Sequence, residues 1–200
     1  MNLFDESPQN LLPYDGDAIY LGLIMDAGAA GVFMKRLMAE VAWQHDAIQM
    51  FGKQVITARQ VAWYGDSGLL YTYSKTTKMP RPWTPLLLEL KHTVEDHCNI
   101  TFNSCLLNLY HEGSQGMGWH ADDEKELGDN PAIAALSFGA PRRFLFRHND
   151  TKEKKEIILE NGSLLLMKGT TQHHWQHSLP KALKVKAPRI SLTFRTIRKQ

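Results

Sequence analysis

Two stretches in the first half of the chain space their apolar residues as amphipathic helices do. Residues 29 to 46 read AAGVFMKRLMAEVAWQHD, and residues 84 to 98 read TPLLLELKHTVEDHC. In both, apolar residues return every three or four positions, which is the period of an α-helix. Pro85 fits the first turn of the second stretch, where a missing backbone N–H is tolerated. The pattern therefore predicts two helices.

Much of the remaining chain forms short apolar or alternating segments bounded by turn residues, which predicts strands. These segments are QVAWYG, LLYTYS, FNSCLLNLYH, AIAALSFG, RFLFRH, KEIILENGSLLLMKG and RISLTFRTI. Helices come early and strands later. That order favours an α+β fold, with helices packed on a β-sandwich or an open barrel, over a parallel doubly wound sheet. A length of 200 residues without a low-complexity linker predicts one domain.

The charges are distributed unevenly along the chain. Residues 141 to 200 contain 14 Lys or Arg against 4 Asp or Glu, whereas residues 1 to 140 contain 9 against 17. Such a basic region is typical of a surface that meets a polyanion, although scattered lysines on a solvated surface give the same count. The charge distribution is thus consistent with nucleic acid as a partner but does not by itself identify one.

The sequence predicts a cytoplasmic protein. No apolar stretch approaches the roughly 18 residues that a membrane helix needs, and the first ten residues lack the basic and apolar regions of a signal peptide. Cys98 and Cys105 are the only cysteines and lack CxxC spacing, which favours a reducing compartment.

One predicted strand, RISLTFR, alternates polar and apolar residues strictly. Its polar face would carry Arg189, Ser191, Thr193 and Arg195. A strand at a solvent-facing edge is the simplest explanation. If the face instead lines a pocket, two guanidiniums would suit a small molecule with carboxylates at both ends, because guanidinium pairs with carboxylate through two hydrogen bonds. The same alternation in CLLNLYH places Asn108 and Tyr110 together, where they could complete such a pocket.

The segment GMGWHADD, residues 116 to 123, places His120 and Asp122 one residue apart. In an extended segment, side chains at i and i+2 project from the same face, so the two could converge on a metal ion. A solvated loop rich in Asp and Glu also produces His-x-Asp by chance. The pattern by itself is therefore a weak indication of a metal site.

A third ligand is available near residue 175, in TTQHHWQHSLP. As a strand, this segment would place His173 and His177 on one face and His174 on the other. Two histidines and one carboxylate form the facial triad of non-haem Fe(II) oxygenases, and zinc hydrolases use the same kinds of ligand. The two-arginine strand favours the oxygenase, because a hydrolase needs no anionic cosubstrate.

The chain resembles the AlkB-like iron(II) and 2-oxoglutarate-dependent dioxygenases, which repair alkylated nucleic acid. The resemblance covers about residues 45 to 198 and includes FGK at 51 to 53 and YGDSGLLYTYS at 64 to 74. Its most specific motifs are NLY at 108 to 110, HADDE at 120 to 124, LSFGAPRRFLFRH at 136 to 148, GSLLLMKG at 162 to 169, WQHSLP at 175 to 180 and PRISLTFR at 188 to 195.

This resemblance implies a double-stranded β-helix (jelly-roll) core with the N-terminal helices packed on one sheet. Residues 1–200 would form one domain, with a nucleotide-recognition region at about 45–75 and a catalytic core at 105–198. The resemblance also implies an iron site and a 2-oxoglutarate site. The implied iron ligands are His120, Asp122 and His177, and the implied 2-oxoglutarate residues are Asn108, Tyr110, Arg189, Thr193 and Arg195. Arg189 would hold the far carboxylate, and Arg195 would lie near the end that chelates iron.

The implied reaction consumes 2-oxoglutarate and O2, gives succinate and CO2, and hydroxylates the N-methyl group of a base such as 1-methyladenine or 3-methylcytosine. The adduct then releases formaldehyde and the repaired base. A base inside a duplex cannot reach such a site, so the nucleotide has to flip out of the stack.

The chain resembles most the family members that have a duplex-probing hairpin. By this resemblance Phe51 is the wedge that fills the vacated position, Gly52 permits a tight turn, and Lys53 meets a phosphate. From the residues alone, Phe51 as an ordinary core side chain is the competing interpretation. Further implied substrate residues are Arg59, the stacking pair Tyr71 and Tyr73, and the carboxylates Asp123 and Glu124 near the base or its sugar.

The expected partner is alkylated DNA, single- or double-stranded, with RNA as a further candidate substrate. A monomer in the bacterial cytoplasm, without a membrane partner, is expected. One alternative is a dioxygenase of the same chemistry that acts on a protein or a small molecule. Another is a nucleic-acid-binding module with a degenerate iron site, but that alternative predicts the loss of part of the triad or of the arginine pair.

Overall fold

The computed structural model describes residues 9–50, 53–69, 71–73 and 76–198, and it describes their side chains except at 46–50, 53–55, 71–73 and 76–78. Within these residues the chain forms two long helices and thirteen strands. None of the helices in these ranges is both long and apolar enough to cross a membrane.

Both long helices begin at a side-chain cap. The first, α1 (Ala27–Glu40), starts where the Asp26 carboxylate accepts a hydrogen bond from the backbone N–H of Ala29 at 2.8 Å. The second, α2 (Pro85–Cys98), starts where the Thr84 hydroxyl accepts from Leu87, with Pro85 in the first turn as predicted.

The prediction that the first helix continues to residue 46 is wrong. The backbone is already extended at Val41, and Gln44 begins a strand that pairs with the next one along the chain. The apolar residues Val41 and Trp43 still face the core, as the periodic pattern suggested. Their burial fits the end of a helix followed by a strand as well as it fits a continuous helix.

The strands pair antiparallel, most of them have seven residues or fewer, and most of the predicted segments contain one. Their bounds are β1 (Asp17–Leu23), β2 (Gln44–Met50), β3 (Lys53–Gly65), β4 (Tyr71–Tyr73), β5 (Thr76–Lys78), β6 (Ser104–Tyr110), β7 (Met117–His120), β8 (Ile133–Gly139), β9 (Arg142–His148), β10 (Lys154–Leu159), β11 (Ser163–Lys168), β12 (Trp175–Leu179) and β13 (Arg189–Arg195). A 3-10 turn at Lys125–Leu127 and a single helical turn, α3 (Thr171–His174), complete the described secondary structure.

The predicted segment KEIILENGSLLLMKG contains two strands, β10 and β11, separated by a turn. Gly162 in that turn has φ +82°, and a Cβ there would lie 2.9 Å from Cγ of Met25. Glycine therefore fits both the backbone conformation and the available space.

Two sheets form the body of the protein. The major sheet has the order β1-β11-β8-β13-β6-β3-β2, and the minor sheet has the order β10-β9-β12-β7. β4 and β5 form a separate two-stranded ribbon. This α+β architecture has the predicted jelly-roll core.

The two faces of the major sheet bury different clusters. Residues of α1 and α2, including Leu37 and Leu90, pack against one face, where Leu107, Leu136 and Leu192 are fully buried. Ile133, Leu165 and Met167 belong to a second cluster that includes Phe146 and Trp175 of the minor sheet. The helices therefore pack on one sheet, as predicted, and the other face of that sheet is turned towards the minor sheet.

Candidate active site

The polar face of β13 lines a cavity. β13 lies in the middle of the major sheet, with β6 and β8 on its two sides, so the alternative of a solvent-facing edge strand is wrong. Its apolar residues Ile190, Leu192 and Phe194 are fully buried towards the helices. Its four polar residues line a cavity of about 350 Å³, together with Asn108 and Tyr110 of β6; these four are Arg189, Ser191, Thr193 and Arg195.

The minor sheet supplies the candidate metal group at the other wall of this cavity. β12 pairs with β7 so that His177 stands opposite His120, and Asp122 follows two residues after His120. One ligand atom from each of the three side chains lies within 4.8 Å of those of the other two. The structure thus brings together a two-histidine, one-carboxylate group that can hold a metal ion on one side.

A hydrogen bond to the backbone orients the imidazole ring of His120. Its Nδ1 lies 2.8 Å from the backbone carbonyl oxygen of Gly118, which can only accept, so Nδ1 carries the proton. In the neutral imidazole of this tautomer, Nε2 carries the lone pair that a metal would take. This is the usual arrangement of a ligating histidine, whose second nitrogen is held by an outer partner that fixes the ring orientation.

Asp122 is held on two sides. Its Oδ1 accepts a hydrogen bond from Arg195 at 2.6 Å, and its backbone N–H donates to Oε1 of Gln172 at 2.9 Å. Burial raises the pKa of the carboxyl group, but Arg195 and the two neighbouring histidines outweigh that effect, and the net pKa is lowered. Asp122 is therefore an anion, as a metal ligand must be.

The imidazole of His177 is buried and neutral. Burial lowers its pKa to about 3, with a further lowering by His120 and an opposing contribution from Asp122. Its Nε2 lies 4.0 Å from Oδ2 of Asp122. Phe144 stacks on the ring at 5.3 Å between centroids, with 24° between the planes. A neutral imidazole with a fixed orientation is ready to coordinate a cation without first losing a proton.

The expectation that His173 and His177 share a strand face is wrong. Residues 171 to 174 form the helical turn α3, and β12 begins only at Trp175, so neither His173 nor His174 lines the cavity. The turn instead buries Gln172, which supports Asp122. Sequence reasoning missed Gln172, since no spacing rule connects it with a residue fifty positions away.

A second group of potential ligands, formed by Asp15, His148 and His174, does not have the geometry of a metal site. Nδ1 of His148 accepts from the backbone N–H groups of Asp150 and Thr151, both at 3.2 Å. Its proton must then be on Nε2, which faces Asp15 at 3.3 Å. That nitrogen has no lone pair for a metal, and the group ties the N-terminal segment to the minor sheet.

The far end of the cavity is positively charged. Arg189 is only 2% exposed, and its Nη2 donates to the Ser137 hydroxyl at 2.8 Å. Burial lowers the pKa of Arg189 to about 10, so the guanidinium remains a cation at neutral pH. Nearby, Arg59 donates from Nε to Oδ1 of Asn108 at 3.0 Å. These groups form an anion-binding end opposite the candidate metal group.

Some of the predicted substrate residues line the cavity and others do not. Arg59 and Glu124 line the cavity, whereas Asp123 is exposed and is not among the lining residues. Trp63 and Trp119 also line it, although sequence reasoning did not select them. The Arg147 guanidinium lies 4.4 Å from the centre of the Trp119 ring, which holds that ring by a cation–π contact.

The structure describes the remaining predicted substrate residues only by their backbone or not at all. Phe51 and Gly52 lie outside the described residues. The backbones of Lys53, Tyr71 and Tyr73 belong to β3 and β4, but their side chains are outside the description. Their roles stay predictions.

Comparison with known proteins agrees with this geometry. Residues 17–195 match the 2OG-Fe(II) oxygenase superfamily. The chain is 42% identical over 192 residues to the DNA oxidative demethylase ALKBH2 of Homo sapiens, covering 90% of this chain and 73% of that protein. It is 39% identical to the alpha-ketoglutarate-dependent dioxygenase alkB homolog 3 of Mus musculus, covering 90% of this chain and 65% of that protein.

A solved structure has the same fold. The structure titled "The structure of OsALKBH1" superposes with a TM-score of 0.66 at 16% sequence identity, covering 95% of this chain and all of that one. The family implies Fe(II), 2-oxoglutarate and O2 as cofactor and cosubstrates, and the His-Asp-His group and the arginine-lined cavity fit them. The chain is therefore an Fe(II)/2-oxoglutarate-dependent dioxygenase and belongs to the AlkB-like members of the 2OG-Fe(II) oxygenase superfamily.

Proposed function

We propose that this chain removes N-alkyl groups from bases in DNA by oxidation, with 1-methyladenine and 3-methylcytosine as typical lesions. The products are the repaired base, formaldehyde, succinate and CO2. The observation that carries the proposal is the presence of a facial metal group and a buried two-arginine wall in one cavity. Similarity to two kinds of AlkB homologue, one of them named a DNA oxidative demethylase, supports DNA as the substrate.

In this proposal His120, Asp122 and His177 hold Fe(II). Three protein ligands on one face leave the remaining coordination positions for the cosubstrate and oxygen. Iron with bound 2-oxoglutarate supplies the oxidising chemistry, which is a property of the metal centre itself. The contribution of the chain is to hold the ligands in place, exclude water from the cavity and position both substrates.

The 2-oxoglutarate residues are proposed to act at the two ends of the molecule. Arg189 holds the distal carboxylate with its guanidinium, and Tyr110, which pairs with Arg189 across β6 and β13, offers a hydroxyl beside it. Asn108 and Thr193 line the cavity between the ends. Arg195, hydrogen-bonded to Asp122, lies at the metal end. Arg189 and Arg195 lie six residues apart on the same face of β13, so both side chains are directed to the side of the sheet that lines the cavity.

The DNA substrate is proposed to enter from the side of β2 and β3. These strands pair up to Met50 and Lys53, and the proposed wedge residue Phe51 follows Met50 in the sequence. Gly52, Lys53, Tyr71 and Tyr73 are proposed to act with it, for the turn, a phosphate contact and base stacking. Arg59, Asp123 and Glu124 are proposed to contact the flipped nucleotide. A carboxylate suits this role, because 1-methyladenine and 3-methylcytosine carry positive charge.

We further propose one domain over residues 1–200, with nucleotide recognition at about 45–75 and the catalytic core at 105–198. The protein is proposed to act as a monomer in the bacterial cytoplasm, and RNA is proposed as a second substrate. The two cysteines support a reducing compartment, since both Cys98 and Cys105 are free thiols.

Mass spectrometry of methylated oligonucleotides tests the activity. Single-stranded and duplex DNA and RNA strands with one 1-methyladenine or 3-methylcytosine are incubated with the protein, Fe(II), 2-oxoglutarate and ascorbate. The proposal predicts a net mass loss of CH2 per lesion, because hydrogen replaces the methyl group, and this loss depends on both iron and 2-oxoglutarate. Succinate formation without any change in the oligonucleotides would contradict the proposal and favour a protein or small-molecule substrate.

A further inference from the structure

Arg142, at the start of β9, is a buried arginine outside the cavity lining. It is 2% exposed, and its Nη2 donates to the backbone carbonyl oxygens of Gln115 at 2.9 Å and Pro180 at 2.7 Å. Its Nε is buried and has no hydrogen-bond acceptor. A buried guanidinium is costly unless opposite charge or a full set of acceptors compensates it.

The two carbonyls belong to neighbouring segments at one end of the cavity. Gln115 lies between β6 and β7, in the loop of residues 111–116, and Pro180 begins the segment 180–188 between β12 and β13. The segments also hydrogen-bond directly: the Ala182 N–H donates to the Gly113 carbonyl oxygen at 2.7 Å, and the Gly113 N–H donates to that of Val185 at 2.8 Å. At Gly116 a Cβ would lie 2.5 Å from the carbonyl oxygen of Leu179, so the loop approaches the end of β12 closely. Arg142 thus joins both segments through its hydrogen bonds.

Arg142 is also connected to Arg189. In the pairing of β9 with β10, Arg142 stands opposite Leu159, and the carbonyl oxygen of Leu159 accepts a hydrogen bond from Nη1 of Arg189 at 3.4 Å. Burial lowers the pKa of Arg189, and the positive charge of Arg142 lowers it further. Both guanidiniums also influence the pKa of Tyr110, which burial raises. The two cations therefore lie at the same end of the cavity.

Neither cation has a carboxylate partner in the part of the chain that the structure describes. The acceptors of Arg142 are two carbonyls, and those of Arg189 are the Ser137 hydroxyl and one carbonyl. Nε of Arg189 is also buried without an acceptor. Two neighbouring buried cations without an anion are unfavourable, so an anion bound at this end would relieve the desolvation and the mutual repulsion of both.

We propose that Arg142 is a positioning residue for the distal carboxylate of 2-oxoglutarate, supplying a second positive charge behind Arg189 and fixing the two segments at that end. This inference rests on the proposed placement of the distal carboxylate at Arg189. Arg142 thereby contributes to the preference for a dicarboxylate over a 2-oxo acid with one carboxylate.

Calorimetry on the anaerobic Fe(II)-loaded protein tests this role, because without oxygen the cosubstrate binds and is not consumed. The ligands are 2-oxoglutarate and 2-oxopentanoate, which has the same chain length with a methyl group instead of the distal carboxylate. Arg142→Gln is expected to weaken 2-oxoglutarate binding about tenfold and to change 2-oxopentanoate binding little, because only 2-oxoglutarate carries a distal charge that Arg142 attracts. Arg142→Lys is expected to keep most of the preference because it keeps the charge.

Arg143→Gln is the matched control. Arg143 is the next residue of β9, its side chain is exposed, and it pairs with Glu156, so its removal changes the net charge equally without touching the cavity. It should leave both affinities unchanged. If Arg142→Gln weakens the binding of both ligands equally, or of neither, the preference for 2-oxoglutarate is unchanged. Either result would overturn the proposal and leave Arg142 with a structural role only.

Arg189→Gln separates this proposal from the one on which it rests. If the preference for 2-oxoglutarate falls in Arg189→Gln but not in Arg142→Gln, the distal carboxylate is at Arg189 and the role of Arg142 is refuted. If Arg189→Gln leaves the preference unchanged, the proposed placement of 2-oxoglutarate is itself wrong. Thermal unfolding of each variant without ligand shows whether the fold is retained.

Discussion

His177 stands directly opposite His120 in the antiparallel pairing of β12 with β7, with 4.2 Å between the ring centroids. A facing pair on neighbouring strands has its side chains on the same side of the sheet, so backbone pairing alone brings two ligands together. Asp122 completes the group from the loop after β7, and its position depends on side-chain contacts. Of the three ligands, Asp122 is therefore expected to depend most on the side chains that hold it in position.

Gln172→Ala tests this dependence. The substitution removes the acceptor for the buried Asp122 N–H. Fe(II) affinity should fall about 10- to 100-fold, as is typical for loss of an outer-shell partner of a ligand. Anaerobic metal titration measures it. Gln60→Ala, which removes a partner of the exposed His111, is the control and should leave the affinity unchanged.

Arg189→Lys tests the cosubstrate end. Lysine keeps the positive charge but cannot form two parallel hydrogen bonds with a carboxylate, so the apparent KM for 2-oxoglutarate should rise at least about tenfold. Arg143→Lys on the exposed face of β9 is the control. Steady-state succinate formation gives the apparent KM of both variants. An unchanged KM with weaker nucleic-acid binding would mean that Arg189 meets phosphate instead.

Phe51→Ala tests the proposed wedge. If Phe51 fills the gap left by a flipped base, repair of duplex DNA should fall much more than repair of single strands, where little stacking has to be replaced. Loss of about 1.4 kcal/mol would slow duplex repair about tenfold at subsaturating substrate. Both substrates are compared at one salt concentration, because phosphate contacts depend on salt. Equal losses on both, with a lower Tm, would identify Phe51 as a core residue.

Cys98 should react slowly with thiol reagents in the native protein. Burial raises the pKa of its thiol from 9.0 to about 11. At pH 8 the thiolate fraction is then about 0.1% instead of about 10%, and the greater nucleophilicity of the more basic thiolate offsets part of this loss, so alkylation should be about tenfold slower than in the unfolded chain. Because the thiolate forms only as pH approaches the raised pKa, the rate should increase about tenfold per pH unit up to about pH 11. Rapid native labelling at pH 8, followed by peptide mapping to Cys98, would contradict this.

The sequence predicts the parts of the site that follow from local periodicity. Strict alternation in RISLTFR placed Arg189 and Arg195 on one face of β13, and the structure lines the cavity with that face. The spacing of His120 and Asp122 was by itself only a weak indication of a metal pair, and the family resemblance was needed to assign them. The family resemblance was needed to select His177, because the local sequence did not decide which of the three histidines of residues 173–177 is the ligand.

Features that depend on tertiary pairing could not be predicted from local sequence. The end of α1 at Glu40 is decided by the pairing of β2 with β3, which competes with a helical pattern that continues to Trp43. The turn α3 removes His173 from the strand face because Thr171 bonds to the backbone oxygens of Asp17 and Lys168. Gln172 and Arg142 act on residues that are distant in the sequence, so no spacing rule identifies them.

The most direct test of the account is succinate formation by His177→Ala. The substitution removes one of the three proposed iron ligands, and its effect is measured with methylated oligonucleotide, Fe(II) and 2-oxoglutarate, alongside the Tm of the metal-free protein. Because a catalytic metal site with open positions need not stabilise the fold, the account predicts no detectable succinate and a metal-free Tm within a few degrees of the unaltered protein. Succinate formation at the unaltered rate in His177→Ala would contradict the assignment of the metal centre.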